Sequence, residues 1–296
     1  MRADGPHEPW FPVAASALVL AAACTLGALA RGTRGALGGA VVGLAGAAGL
    51  HALLSRRQRR RQQVLGAPFP EDWRRVLERR YDHYLRLPAD LRRQFEDDLR
   101  LFLAETRITG IDVEVTDELR LMVAASAVTL SVGWPDFEWD AVTEVLLYPQ
   151  DFGRDYSFEG KELAGQAHAW GTVILSVPSL RESFAHPDDG FHVGLHEFAH
   201  LLDMEQGQFD GIPAGFPRQH VREWVELMAV EMERLQRGRS VIDSYGSEEP
   251  PEFLAVAVEA FFEVPLDVRR QHRQLYGLLR DYFGQDPAAW DEARES

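Results

Sequence analysis

The first sixty residues carry their apolar positions in blocks rather than in periods. Residues 11–30 (FPVAASALVLAAACTLGALA) form a run without charge, and residues 35–54 (GALGGAVVGLAGAAGLHALL) form a second, interrupted only by His51. About 20 apolar residues cross the hydrocarbon core of a bilayer as a helix. The four-residue connection Arg31–Arg34 therefore predicts a transmembrane helical hairpin. Gly35, Gly39 and Gly43 recur every four residues, a small-residue stripe that lets two helices approach closely. Beyond the hairpin the pattern changes. Over 88–106, Leu91, Phe95, Leu99, Phe102 and Leu103 fall on one helical face. Residues 118–132 are an apolar stretch of helical length, and 142–148 and 172–177 have the β-branched character of strands. Further helices are expected at about 190–203, 217–237, 252–263 and 266–283. The fold class this predicts is α+β, mostly helical with a small sheet. The domain plan is an anchor over 1–61, a linker over 62–84, a folded domain over 85–285 and a tail over 286–296.

Charge adds an orientation. Residues 1–66 hold eight arginines against Asp4 and Glu8, a balance of +6, so the net charge of −15 leaves −21 on the remainder. Arg56, Arg57, Arg59, Arg60 and Arg61 follow the second apolar run and outnumber the two arginines of the connection. The positive-inside rule then places this cluster, both termini and the folded domain in the cytoplasm, with the inner membrane as the location. A cleaved or lipidated signal segment near Cys24, or a second run that does not insert, would put the domain outside. A domain this acidic is a poor nucleic-acid binder, because phosphate contacts need clustered Lys and Arg. Its acidity reads first as solubility and second as attraction for cationic peptides. One cysteine excludes an intrachain disulfide and a cysteine-based zinc site.

The chemistry concentrates in His196-Glu197-Phe198-Ala199-His200, an H-E-x-x-H pattern. On a helix, positions i and i+4 share a face, so both imidazoles reach one metal ion, with the glutamate beside the water that the metal activates. A chance match is expected in roughly a few per cent of chains this long, so further ligands matter. A catalytic zinc takes a third protein ligand and keeps one open position. No histidine follows at metzincin spacing: the next residues are Leu201-Leu202-Asp203-Met204-Glu205. The candidates are Glu252 and Glu259, seven apart on one face of an otherwise apolar helix that starts at Pro250-Pro251. Buried carboxylates there need a partner or a metal. Either could be the ligand and the other an accessory group.

These segments resemble the Mlc titration factor family of zinc peptidases, distantly related to the catalytic domain of anthrax lethal factor. The matching stretches are VLLYPQDF at 145–152, LAGQAHAWGTVILSVPSLRESF at 163–184, HEFAHLLD at 196–203 and IDSYGSEEPPEFLAVAVEAFF at 242–262. The resemblance covers roughly 85–285 and implies a zincin-like metallopeptidase domain. It does not extend to the N-terminal hairpin, which rests on hydropathy alone. In that family a glutamate seven residues after a tyrosine completes the zinc site, a spacing that Tyr245 and Glu252 have. The resemblance thus implies one Zn2+ per chain on His196, His200 and Glu252, Glu197 as general base, and Tyr245 as hydrogen-bond donor to the oxyanion. Glu259 and Asp203 are then candidates to support the ligands from behind, Asp203 alternatively bonding backbone at the helix end. His168 and Trp170 are candidates for lining the substrate cleft, alternatively for core packing. His192, one turn before the motif, reads as a partly buried surface residue, and His220 as solvated.

The function expected is a membrane-anchored zinc peptidase acting on peptide or protein substrates, with aminopeptidase-like action implied by the resemblance. The alternative is a regulatory binding protein: the family's namesake binds and titrates a transcriptional repressor. An intact Glu197 argues for retained catalysis, since sequestration needs no general base. A membrane quality-control protease is disfavoured, because H-E-x-x-H lies about 130 residues beyond the hairpin rather than next to it.

Overall fold

The computed structural model describes residues 11–135, 137–151, 165–167, 171–204, 209–238 and 240–295. The chain divides into two compact units, residues 1–67 and 68–296.

In the first unit, helical conformation runs through α1 (Phe11–Leu54), followed by α2 (Arg56–Gly66). A Cβ on Gly43 would lie 2.8 Å from that of Ala23, and one on Gly46 3.5 Å from a Val19 methyl. Twenty residues of straight helix extend about 30 Å, so the segment doubles back on itself. Gly43 is the small residue that lets the two halves touch. Among the described residues, no helix is long and apolar enough to cross a membrane. The two transmembrane spans expected over 11–30 and 35–54 therefore gain no support from the structure. The Gly and Ala that fill 35–54 make it a weakly apolar segment.

The second unit opens with α3 (Glu71–Arg80) and α4 (Asp82–Arg86). This stretch reads as linker in the sequence because Gly66, Pro68 and Pro70 lead into it. Leu77, Tyr81, Tyr84 and Leu87 nevertheless bury one face of it, so the folded unit begins at Pro68 rather than at 85. α5 (Ala89–Glu105) follows the amphipathic pattern. After β1 (Arg107–Gly110) comes α6 (Asp117–Ser131), whose Thr116 side chain accepts the Leu119 N–H, an N-cap, and which is buried along almost its whole length. A helix buried on all sides shows no amphipathic period. The strands β2 (Glu144–Tyr148), β3 (Gly165–Ala167) and β4 (Thr172–Ser176) complete a sheet of order β1-β2-β4-β3. β1, β2 and β4 are parallel, while β3 runs antiparallel to β4 on the edge.

The helices α7 (Val177–Ala185), α8 (Val193–Met204), α9 (Val221–Gln236) and α10 (Pro250–Glu263) follow, with a 3-10 turn at Ser244–Ser247 before α10. The expected helix over 266–283 is two, α11 (Pro265–Gln271) and α12 (Arg273–Phe283), parted at His272, which is buried against Glu231 at 2.7 Å. The expected tail is α13 (Pro287–Glu295), with Ala288 buried and Trp290 packed on the core. The two central helices, α8 and α10, pack on each other, and α8 also contacts α6, β3 and β4.

Candidate active site

The H-E-x-x-H helix is fixed at its start by three neighbours. The His192 Nδ1 accepts the Leu195 N–H at 3.2 Å, capping the helix with its own preceding residue. Ser183 Oγ of α7 accepts the Val193 N–H at 3.0 Å. Glu259 Oε2 of α10 accepts the His192 N–H. His192 is fully buried against Tyr81 and Phe184, and burial pushes its pKa down to about 3. It is therefore a neutral structural residue rather than the partly exposed one its position suggests. Gly194 brings α8 against α6: a Cβ there would lie 2.2 Å from Ser126 Oγ.

One turn on, His196 and His200 face α10, their Nε2 atoms 3.1 Å apart. Glu252 Oε2 lies 3.2 Å from His196 Nε2 and 3.5 Å from His200 Nε2. The three ligand atoms fall within 4.8 Å of one another. Glu259 meets the other side of the His196 ring, its Oε1 2.8 Å from Nδ1. The two carboxylates thus take different nitrogens of one imidazole. Glu252 converges with the histidines, and Glu259 stands behind His196 and orients it.

Pro250 starts α10 and puts Glu252 in its first turn, where the helix dipole favours a carboxylate. Burial works against the charge of Glu252, but His196 and His200 outweigh it and hold the carboxyl far below its usual range. Burial likewise opposes a charge on His196, and Glu259 and Glu252 reverse the effect, raising it well above an ordinary histidine. Glu252 Oε2 accepts no hydrogen bond although it is buried. Two imidazole nitrogens and a bare carboxylate oxygen meeting in one place make a donor set that fits a divalent cation with nitrogen and oxygen ligands.

Glu197 is buried, and its Oε2 also lacks a hydrogen-bond partner among the described residues. Burial raises its pKa, opposed by His196 and His200. Tyr245 sits in the 3-10 turn, its N–H donating to Asp243 Oδ1 at 2.7 Å, and its ring centroid lies 6.2 Å from that of His196. The turn is seated on α10 through Gly246, where a Cβ would come within 2.4 Å of a Val256 methyl.

The remaining candidates lie apart from this cluster. Asp203 is fully buried, and its Oδ2 accepts the Gly211 N–H at 3.1 Å. Burial pushes its pKa up to about 6 against that bond. The adjoining Gly211 carbonyl takes the Trp224 indole N–H at 2.7 Å, so Asp203 ties the end of α8 to α9. His220 is partly exposed and pairs with Glu223 at 3.1 Å. His168 and Trp170 lie outside the described residues. The roles of His192, Ser183 and Asp243 were not visible in the sequence, where only the fixed distance of His192 and Asp243 from the motif residues hinted at them.

The family pattern of glucose-regulated metallo-peptidase M90 matches residues 55–284. The chain belongs to this metallopeptidase family. Its relatives include an uncharacterized protein of Synechocystis sp., 31% identical over 244 residues, which span 77% of this chain and 89% of that protein. They also include Mlc titration factor A of Edwardsiella ictaluri, 29% identical over 223 residues (70% of this chain, 82% of that protein). The same-named protein of Escherichia fergusonii is 30% identical over 204 residues (63% and 76%). This member of the M90 family thus carries a His-His-Glu group arranged for a metal.

Proposed function

We propose that this chain is a zinc-dependent peptidase that hydrolyses peptide bonds, with aminopeptidase-like action on short peptides. The observation that carries the reading is the convergence of His196, His200 and Glu252 on one point, with the buried, unpartnered Glu197 oxygen on the same helix as the histidines. Those three residues would hold one zinc ion, which when bound supplies the Lewis acidity that brings a water's pKa toward neutrality. Glu197 takes the proton from the attacking water and returns it to the departing amine. Its raised pKa suits both halves of that exchange. Tyr245, held beside His196 by the Asp243 bond, donates a hydrogen bond to the carbonyl oxygen as charge develops there. Glu259 keeps the His196 ring in its tautomer and orientation.

The test is Glu197→Gln. Metal content is expected to stay at one per chain, while turnover of a fluorogenic peptide library falls by at least about 100-fold. Turnover retained at the wild-type rate would remove Glu197 from the chemistry.

A second reading is carried by the name of the relatives. A Mlc-like repressor would be the partner, bound by this chain with hydrolysis secondary. We also propose that residues 11–54 attach the chain to the inner membrane, with the peptidase unit in the cytoplasm. Support comes from the two uncharged runs, from the arginine cluster after them, and from the large apolar side chains of Leu18, Leu29 and Val42, each at least 71% exposed.

A further inference from the structure

A cavity of about 300 Å³ is walled by two segments that lead into the site. One wall is Asp189–Phe191, the segment that runs straight into His192 and the H-E-x-x-H helix. The other is Ser240–Ser244, which runs straight into Tyr245. Both walls are therefore continuous with residues the proposed chemistry uses. Gly190 and Gly238 line it at φ of +82° and +68°, backbone turns that suit glycine and keep side chains off its walls.

The lining is two-sided in character. Leu235 and Ile242 contribute a buried apolar floor, and the half-exposed Phe191 ring flanks it. Asp189 and Asp243 stand exposed at the rim. Each caps the turn it belongs to through one oxygen: Asp189 Oδ1 accepts the Phe191 N–H at 2.9 Å, and Asp243 Oδ1 accepts the Tyr245 N–H at 2.7 Å. The second oxygen of each makes no hydrogen bond among the described residues. The nearby cations are engaged elsewhere, Arg234 with the Gln271 carbonyl at 2.9 Å and Arg237 with Glu233 at 3.3 Å.

An apolar floor under a carboxylate rim matches a long aliphatic stem that ends in a cation, the shape of lysine and arginine. An acidic side chain meets like charge there, and a leucine leaves the rim unanswered. We propose that this cavity is a substrate subsite that selects peptides carrying a lysine or arginine. The proposal rests on the peptidase reading above and adds its substrate class. The net −21 on residues 67–296 acts in the same direction, drawing basic peptides toward the domain at low ionic strength.

The test uses the full chain and a set of labelled hexapeptides with alanine background. Lysine, norleucine or glutamate is placed at each position in turn. Binding is read by fluorescence anisotropy and hydrolysis by product analysis. The comparison protein is Asp189→Asn/Asp243→Asn, because asparagine keeps the Oδ1 acceptor of each turn and removes only the charge. The readout is the lysine-to-norleucine ratio within each protein, which cancels effects common to both peptides. At one peptide position lysine is expected to bind about 10-fold more tightly than norleucine, roughly 1.4 kcal/mol, with glutamate weakest. The ratio should fall to about 1–2 in the double variant.

A ratio near 1 at every position of the wild type overturns the subsite, as does a ratio that survives in the double variant. Hydrolysis without lysine preference would sink the subsite and leave the peptidase. Charge-selective binding without any hydrolysis would sink the peptidase and the substrate role with it, leaving the cavity as a binding site for basic peptides only. Failure of every peptide to bind would overturn both.

Discussion

Glu259→Gln separates the roles of the two carboxylates on α10. Glu259 accepts two bonds, from His196 Nδ1 at 2.8 Å and from the His192 N–H. Glutamine offers one carbonyl oxygen and one amide, so one of those donors must face an NH2 group. A buried donor left unsatisfied costs about 1–3 kcal/mol. In a unit of this size each kcal/mol moves Tm by roughly 2–4 °C, so the metal-free variant should melt about 2–12 °C lower. Loss of a carboxylate that orients a ligating histidine weakens metal binding about 10- to 100-fold, which is roughly 1.4–2.7 kcal/mol. Glu252→Ala removes a converging carboxylate, so metal affinity should fall further than in Glu259→Gln. It should also lower the metal-free Tm at neutral pH, because the charge that His196 and His200 hold far below its usual range is lost from the fold. Competition against a chromophoric chelator gives the affinities, and calorimetry in excess chelator gives the Tm values. Metal binding abolished by Glu259→Gln but kept within about 10-fold by Glu252→Ala would exchange the two roles and refute the geometric argument.

Three other outcomes are expected. Tyr245→Phe should lower kcat by about 10²–10³ with KM little changed, since the hydroxyl acts on charge that appears only in the transition state; an equal rise in KM would make it a ground-state contact. Glu263 is buried, and desolvation, only partly opposed by Arg86, pushes its pKa up to about 9. It is neutral in the fold and charged in the unfolded chain between pH 4.5 and 9. Its contribution is therefore full at low pH and is lost at up to about 1.4 kcal/mol per pH unit as pH rises through that window. Glu263→Gln should gain on the wild type in denaturant titrations as pH goes from 5 to 8, and a constant difference would refute the shift. A reporter fused after Ser296 should signal cytoplasm; a periplasmic signal would overturn the proposed topology.

The site was more legible in the sequence than the frame around it. H-E-x-x-H puts two candidate ligands side by side through helix geometry alone, since i and i+4 must share a face. The choice between Glu252 and Glu259 lay beyond that reasoning, because residues seven apart share a face equally. It turns on which nitrogen of His196 each meets, and that depends on how α10 crosses α8. His192 was misread for a similar reason: Tyr81 and Phe184, which bury it, come from distant segments. The helices α3 and α4 hid behind the linker reading of Gly66, Pro68 and Pro70, though their apolar residues are spaced for a single buried stripe. β1 and β3, at four and three residues, are too short to show a period. α6 and α10 are apolar all round, so their length rather than their periodicity marked them as helices.

The anchoring of α8 bears on the order in which a working protein is assembled. His192, Ser183 and Glu259 hold its first turn with no help from a metal, and Gly194 locks it to α6. The helices carrying all three candidate ligands are built into the core of the second unit. Small zinc domains reach their fold only when the ion arrives, so metal supply decides whether they exist at all. A unit built in this way is expected to fold before its ion arrives and to wait as a finished apoprotein. Metal supply would then set how much of the standing pool is active, leaving its abundance unchanged, and a cell could raise or lower activity without making or destroying a single molecule.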